Sequence, residues 1–110
     1  MTATQTWPTV QVSIDDHGNP SVDPIILHAK QDVEWTTANG ADFDLKWDSL
    51  PPWDKDLVHG KSWGRRKKVH NMKRTDKAAP TRPKAKYVIT LYDANGNVSK
   101  VVDPDMVMDT

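Results

Sequence analysis

Val33-Glu34-Trp35-Thr36-Thr37-Ala38-Asn39-Gly40-Ala41-Asp42-Phe43-Asp44-Leu45-Lys46-Trp47 reads as two strands around a turn. Val33 and Trp35 alternate with Glu34 and Thr36. Phe43, Leu45 and Trp47 alternate with Asp42, Asp44, Lys46 and Asp48. A period of two places apolar side chains on one face and charged ones on the other. Asn39-Gly40 tolerates positive φ, as a tight hairpin turn requires. The expectation is a hairpin with one wet face.

Similar signals extend in both directions. Val10, Val12 and Ile14 alternate with Thr9, Gln11 and Ser13. Asp15-Asp16-His17-Gly18-Asn19-Pro20 is dense in turn formers. Val22 opens a second strand that Pro24 interrupts and Ile25-Ile26-Leu27 continues. Near the other end, Tyr87-Val88-Ile89-Thr90-Leu91-Tyr92 is rich in β-branched and aromatic residues and apolar on both faces, so it predicts a central strand. Asp93-Ala94-Asn95-Gly96-Asn97 predicts a hairpin turn, Val98 to Val102 a return strand, and Met106-Val107-Met108 a terminal strand. Gly18-Asn19 leads to Val22-Asp23-Pro24 much as Gly96-Asn97 leads to Val102-Asp103-Pro104. Two turns of similar chemistry account for this echo.

Strands of this number and spacing predict an all-β fold, a small Greek-key β-sandwich of about 7–8 strands. A small open barrel is the alternative architecture. The 110 residues are read as one domain, 1–110. Five Trp against one Phe suggest that Trp7, Trp35, Trp47, Trp53 and Trp63 supply much of the core. With no Cys, a disulfide framework, a thiolate metal site and a cysteine nucleophile are all excluded. No apolar run reaches the roughly 20 residues of a membrane helix, and no secretory signal is visible, so a cytoplasmic location without membrane contact is expected.

Charge is segregated along the chain. Lys61 to Lys86 holds 11 of the 15 basic residues against Asp76 alone, which makes the segment +10. Four basic and fourteen acidic residues elsewhere make the rest −10. From Asp54 to Lys86 neither structural period is sustained, and Gly60, Gly64, Pro80 and Pro83 oppose regular structure. The reading is a long basic loop, about 54–86, inserted into the sandwich, with any helix confined to 54–79.

The order of these elements resembles the cupredoxin-like sandwich. Gln31-Asp32-Val33-Glu34-Trp35 looks like that family's turn and Val-x-Trp strand. Phe43, Leu45 and Trp47 resemble its next strand, and Tyr87 to Leu91 its late Tyr strand. The resemblance covers roughly 9–49 and 86–108 and implies the fold. It does not carry the copper chemistry. The family's first copper His would fall at Asn39–Phe43, and its Cys, His and Met at Leu91–Gly96, yet neither stretch holds any of these residues. A type 1 copper site requires the thiolate. A non-copper member is implied.

His17, His28, His59 and His70 are the only histidines. His59, His70 and Met72 suggest a metal-handling alternative, but the surrounding positive charge opposes a divalent cation. No nucleophile elbow or phosphate-cradling glycine loop is present, so neither an enzyme nor a cofactor is expected. The basic segment is the remaining feature. Its candidate binding residues are Lys61, Trp63, Arg65, Arg66, Lys67, Lys68, Lys73 and Arg74. Arg forks and Lys charges suit anionic groups, and Trp63 could stack a base. The competing reading folds the segment over the protein's own acidic surface. The expected function is a non-enzymatic binding module that presents a basic loop to an acidic partner, nucleic acid or protein. A structural subunit that assembles through its sheet edges is a further alternative.

Overall fold

The computed structural model describes residues 7–28, 30–49, 58–60, 66–74 and 84–108, with backbone alone at 47–49, 58–60, 73–74, 84–85 and 108. The fold is all-β, two mixed sheets face to face, without helix among the described residues. Nine strands are described: β1 (Val10–Ile14), β2 (Ile25–Leu27), β3 (Asp32–Thr37), β4 (Phe43–Ser49), β5 (Val58–Gly60), β6 (Val69–Arg74), β7 (Lys84–Tyr92), β8 (Val98–Val102) and β9 (Asp105–Met108). One sheet runs β1-β3-β6-β5, with β1 parallel to β3 and the other pairs antiparallel. The second runs β2-β9-β7-β4, and β8 also pairs with β7. β7 is central, as its two apolar faces predict. β4 lies along one side of it, and β8 and β9 share the other.

The alternating apolar residues meet between the sheets. Val12, Ile14, Val33, Trp35 and Met72 come from one sheet. Ile25, Leu27, Phe43, Leu45, Tyr87, Ile89, Leu91 and Met106 come from the other. Trp35 lies edge-on to Tyr87, ring centroids 5.6 Å apart, and its indole Nε1 donates to the Tyr87 hydroxyl at 3.2 Å. Each polar tip thus finds its partner inside the core. Burial raises the Tyr87 phenol well above its ordinary value. Gln31, also buried, ties the start of the chain down: its amide donates to the Pro8 carbonyl and accepts from the His28 N–H.

Three expectations need correction. Asn39-Gly40 is a turn, with Gly40 at φ 74°, but β3 and β4 belong to different sheets, so it is a crossover rather than a hairpin. The 54–86 segment is not one long loop. β5 and β6 lie within it and β7 begins at Lys84, while 54–57, 61–65 and 75–83 lie outside the described residues. β6 is an interior strand: Trp35 faces His70, Val33 faces Met72, and β5 flanks its other side. The described part of 54–79 holds β5, β6 and the bridge at Lys67, with no helix. Trp7 is not a core residue. It is 40% exposed and stacks on the His28 ring, centroids 3.6 Å apart. Trp35 is buried, whereas the side chain of Trp47 and all of Trp53 and Trp63 lie outside the described residues.

The sequence echo is a structural one. In the first turn the Asp15 N–H donates to the Asn19 carbonyl and the Gly18 N–H to the Asp15 carbonyl. Asp15 Oδ1 accepts from His17 and Asn19. Asp93 makes the same four bonds with Asn97, Gly96 and Asn95. Gly18 and Gly96 supply φ values of 86° and 81° that L side chains rarely adopt. The bond from Asn19 lowers the Asp15 carboxyl below its ordinary value. No described helix is long and apolar enough to cross a membrane.

Candidate binding surface

Arg66, Lys67 and Lys68 enter β6 along the end of the sandwich. Lys67 is anchored by its backbone: the Phe43 N–H donates to its carbonyl at 2.8 Å, and its own N–H donates back at 3.2 Å. This bridge joins the lead into β6 to the start of β4 in the opposite sheet. His70 reinforces it. Its ring is fully buried, Nε2 donates to the Phe43 carbonyl at 2.6 Å, and the two rings meet edge-on at 4.5 Å. The side chains of Lys67 and Lys68 are exposed.

Arg66 is held by the protein itself. Its Nη1 donates to the Gly96 carbonyl at 3.2 Å, its guanidinium lies 5.2 Å from the Tyr92 ring centroid, and Nε stands 4.0 Å from Asp42 Oδ2. Tyr92 in turn donates its hydroxyl to Asp44 Oδ2 at 2.5 Å. That bond raises the Tyr92 phenol above its ordinary value, and the nearby guanidinium opposes the rise. Beside this cluster opens a cleft of about 420 Å³, lined by Asn39, Gly40, Ala41, Asp42, Lys68, Tyr92, Asp93 and Ala94. Its rim mixes one ammonium with two carboxylates.

The structure therefore disperses part of what the sequence groups. Arg66 turns to Asp42 and Tyr92. Lys86 lies 3.6 Å from both Asp103 and Asp105, and the Asp103 charge, then that of Asp105, raises its ammonium above its ordinary value. These partners belong to the acidic remainder of the chain. Lys73 stands opposite Asp32 in the register. Lys67 and Lys68 are the candidates left exposed side by side. Lys61, Trp63 and Arg65 lie outside the described residues, as do the side chains of Lys73 and Arg74.

Of the residues named for the metal-handling alternative, His70 and Met72 are both buried on β6. The backbone of His59 stands opposite Lys73, and its side chain lies outside the described residues. No cluster of three His, Cys, Asp or Glu residues occurs among the described residues. Sequence reasoning missed Tyr92, Asp42 and Asp44 as neighbours of the basic segment. They lie more than twenty positions from Arg66, and only sheet pairing brings them together. No protein-family model matches the chain, and no curated protein matches it in sequence.

Proposed function

We propose that the chain is a non-enzymatic binding module, a sandwich of cupredoxin-like type without the copper chemistry, whose cationic segment engages an acidic protein. The observation that carries this reading is the charge segregation, +10 within Lys61 to Lys86 against −10 elsewhere. Lys67 and Lys68 support it, because both are exposed on a backbone that the Phe43 bridge holds in place. An anchored backbone lowers the ordering cost of binding. The rim beside Lys68 favours protein over nucleic acid. Asp42 and Asp93 interrupt the positive charge there, whereas a phosphate chain is tracked by a continuous basic stripe. A protein surface can answer both signs.

Retention on immobilised poly-glutamate, compared with retention on a single-stranded oligonucleotide, tests this. Poly-glutamate should retain the protein, and the Lys67→Glu/Lys68→Glu variant should elute at clearly lower salt with an unchanged melting temperature. Retention only by the oligonucleotide would make nucleic acid the partner. Elution of parent and variant together at low salt would sink the binding reading.

A further inference from the structure

β8 is hydrogen-bonded along one side alone, to β7, among the described residues. Val98, Ser99, Lys100 and Val101 are all exposed, and Val98 at 58% and Val101 at 61% are the most open large apolar residues described. Sheet edges are usually kept short, covered or charged, because their free N–H and C=O groups recruit other strands. This edge is supported from beneath. A Cβ placed on Gly18 would come within 3.0 Å of Val102 Cγ2 and 3.2 Å of Lys100 Cβ, so the Asp15–Asn19 turn lies directly against the strand.

Its register sorts chemistry by face. Val98 stands opposite Tyr92 and Val101 opposite Thr90, whereas Lys100 stands opposite the buried Leu91, with a register shift at Ser99. Val98 and Val101 therefore share the outer face, and Lys100 takes the other. At the head of the strand Arg66 spans the Gly96 carbonyl and the Tyr92 ring. A strand laid along this edge would meet apolar groups on one face and an ammonium on the other. A second copy fits poorly. The antiparallel register centred on β8 sets Lys100 against its own symmetry mate, and like charges directly opposite are destabilising.

We infer that β8 is the docking edge for an extended segment of the acidic protein partner, one that alternates apolar and acidic residues and adds a strand to the sheet. Main-chain hydrogen bonds supply the affinity of such augmentation and the alternating side chains its specificity. This inference rests on the acidic-partner reading above.

The probe is a short synthetic peptide alternating Val and Glu, with a Val/Lys peptide as control, read by titration and by amide hydrogen exchange of the intact protein. The Val/Glu peptide should bind and slow exchange in 98–102. Lys100→Glu should weaken it about tenfold, the equivalent of one charged contact, without changing the melting temperature, and the Val/Lys peptide should not bind. Binding that leaves 98–102 exchange unchanged, ignores Lys100→Glu and vanishes in Lys67→Glu/Lys68→Glu overturns the edge and keeps the acidic-partner reading. No binding to either the peptide or poly-glutamate overturns both. A mass that doubles with concentration, with 98–102 protected in the absence of peptide, makes the occupant a second copy and overturns the inference. Protection of 98–102 by a single-stranded oligonucleotide overturns it as well.

Discussion

Met72→Ala measures whether the basic segment is part of the core. Met72 is 2% exposed, and its backbone lies between Val33 of β3 and Gly60 of β5. Truncating a buried Met to Ala costs about 2–5 kcal/mol, the spread reflecting how far the site can collapse. β3 is itself held between β1 and β6, so collapse from that side is restricted and the upper half of the range is expected. A domain of this size has only about 5–15 kcal/mol in total. At roughly 4 °C per kcal/mol, the melting temperature should fall by roughly 14–20 °C. Thermal melts by circular dichroism, with a urea titration beside them, read this directly. Lys67→Ser/Lys68→Ser is the internal control, because both side chains are exposed and such changes stay within about 0.5 kcal/mol. A Met72→Ala melt within about 2 °C of the parent, less than 0.5 kcal/mol on that scale, would mean that 69–74 lies outside the core and that the placement of β6 is wrong.

Trp35→Ala should cost about 3–5 kcal/mol, since it removes a fully buried aromatic together with the indole N–H that donates to the Tyr87 hydroxyl; a near-parental urea midpoint would refute the packing described. Gly18→Ala should lose about 1–3 kcal/mol, because φ 86° strains an L residue and the new methyl meets Val102 at 3.0 Å, and hydrogen exchange in β8 should quicken with it. Alkaline pH should destabilise the fold. Tyr87 and Tyr92 both have folded values raised above 10.0, so their contribution is complete below that pH and is lost as pH climbs through the folded values. Melts that are flat from neutral to strongly alkaline pH would contradict this, and Asp44→Asn should bring the ionisation of one tyrosine down in an ultraviolet titration.

The strands that face the core with apolar residues were legible because alternation is a local property of the chain. β1, β3 and β4 all show it, and β7 was legible from its equally local run of β-branched and aromatic residues. The two Asp-Gly-Asn turns were legible for the same reason, since their bonds run between residues no more than four apart. β6 was not. Val69-His70-Asn71-Met72-Lys73-Arg74 carries two large apolar residues, and a buried imidazole stands at an inward position where an aliphatic side chain would announce a strand. His70 is tolerated there because a carbonyl 27 positions away, that of Phe43, accepts its proton. No local pattern contains that partner.

By itself, the sequence determined the all-β class, the strands built on apolar alternation, the exclusion of thiolate chemistry and the separation of charge along the chain. Tertiary structure decided which strands became neighbours. Asn39-Gly40 reverses the chain in either case, but a turn does not choose which strand receives the next set of hydrogen bonds, and β4 joined β7 rather than β3. It also decided how far the clustered cations act as a cluster. Charge in sequence counts residues, whereas charge at a surface depends on distance. Sheet pairing brought Asp42 to Arg66, and Asp103 and Asp105 to Lys86, while leaving Lys67 and Lys68 exposed.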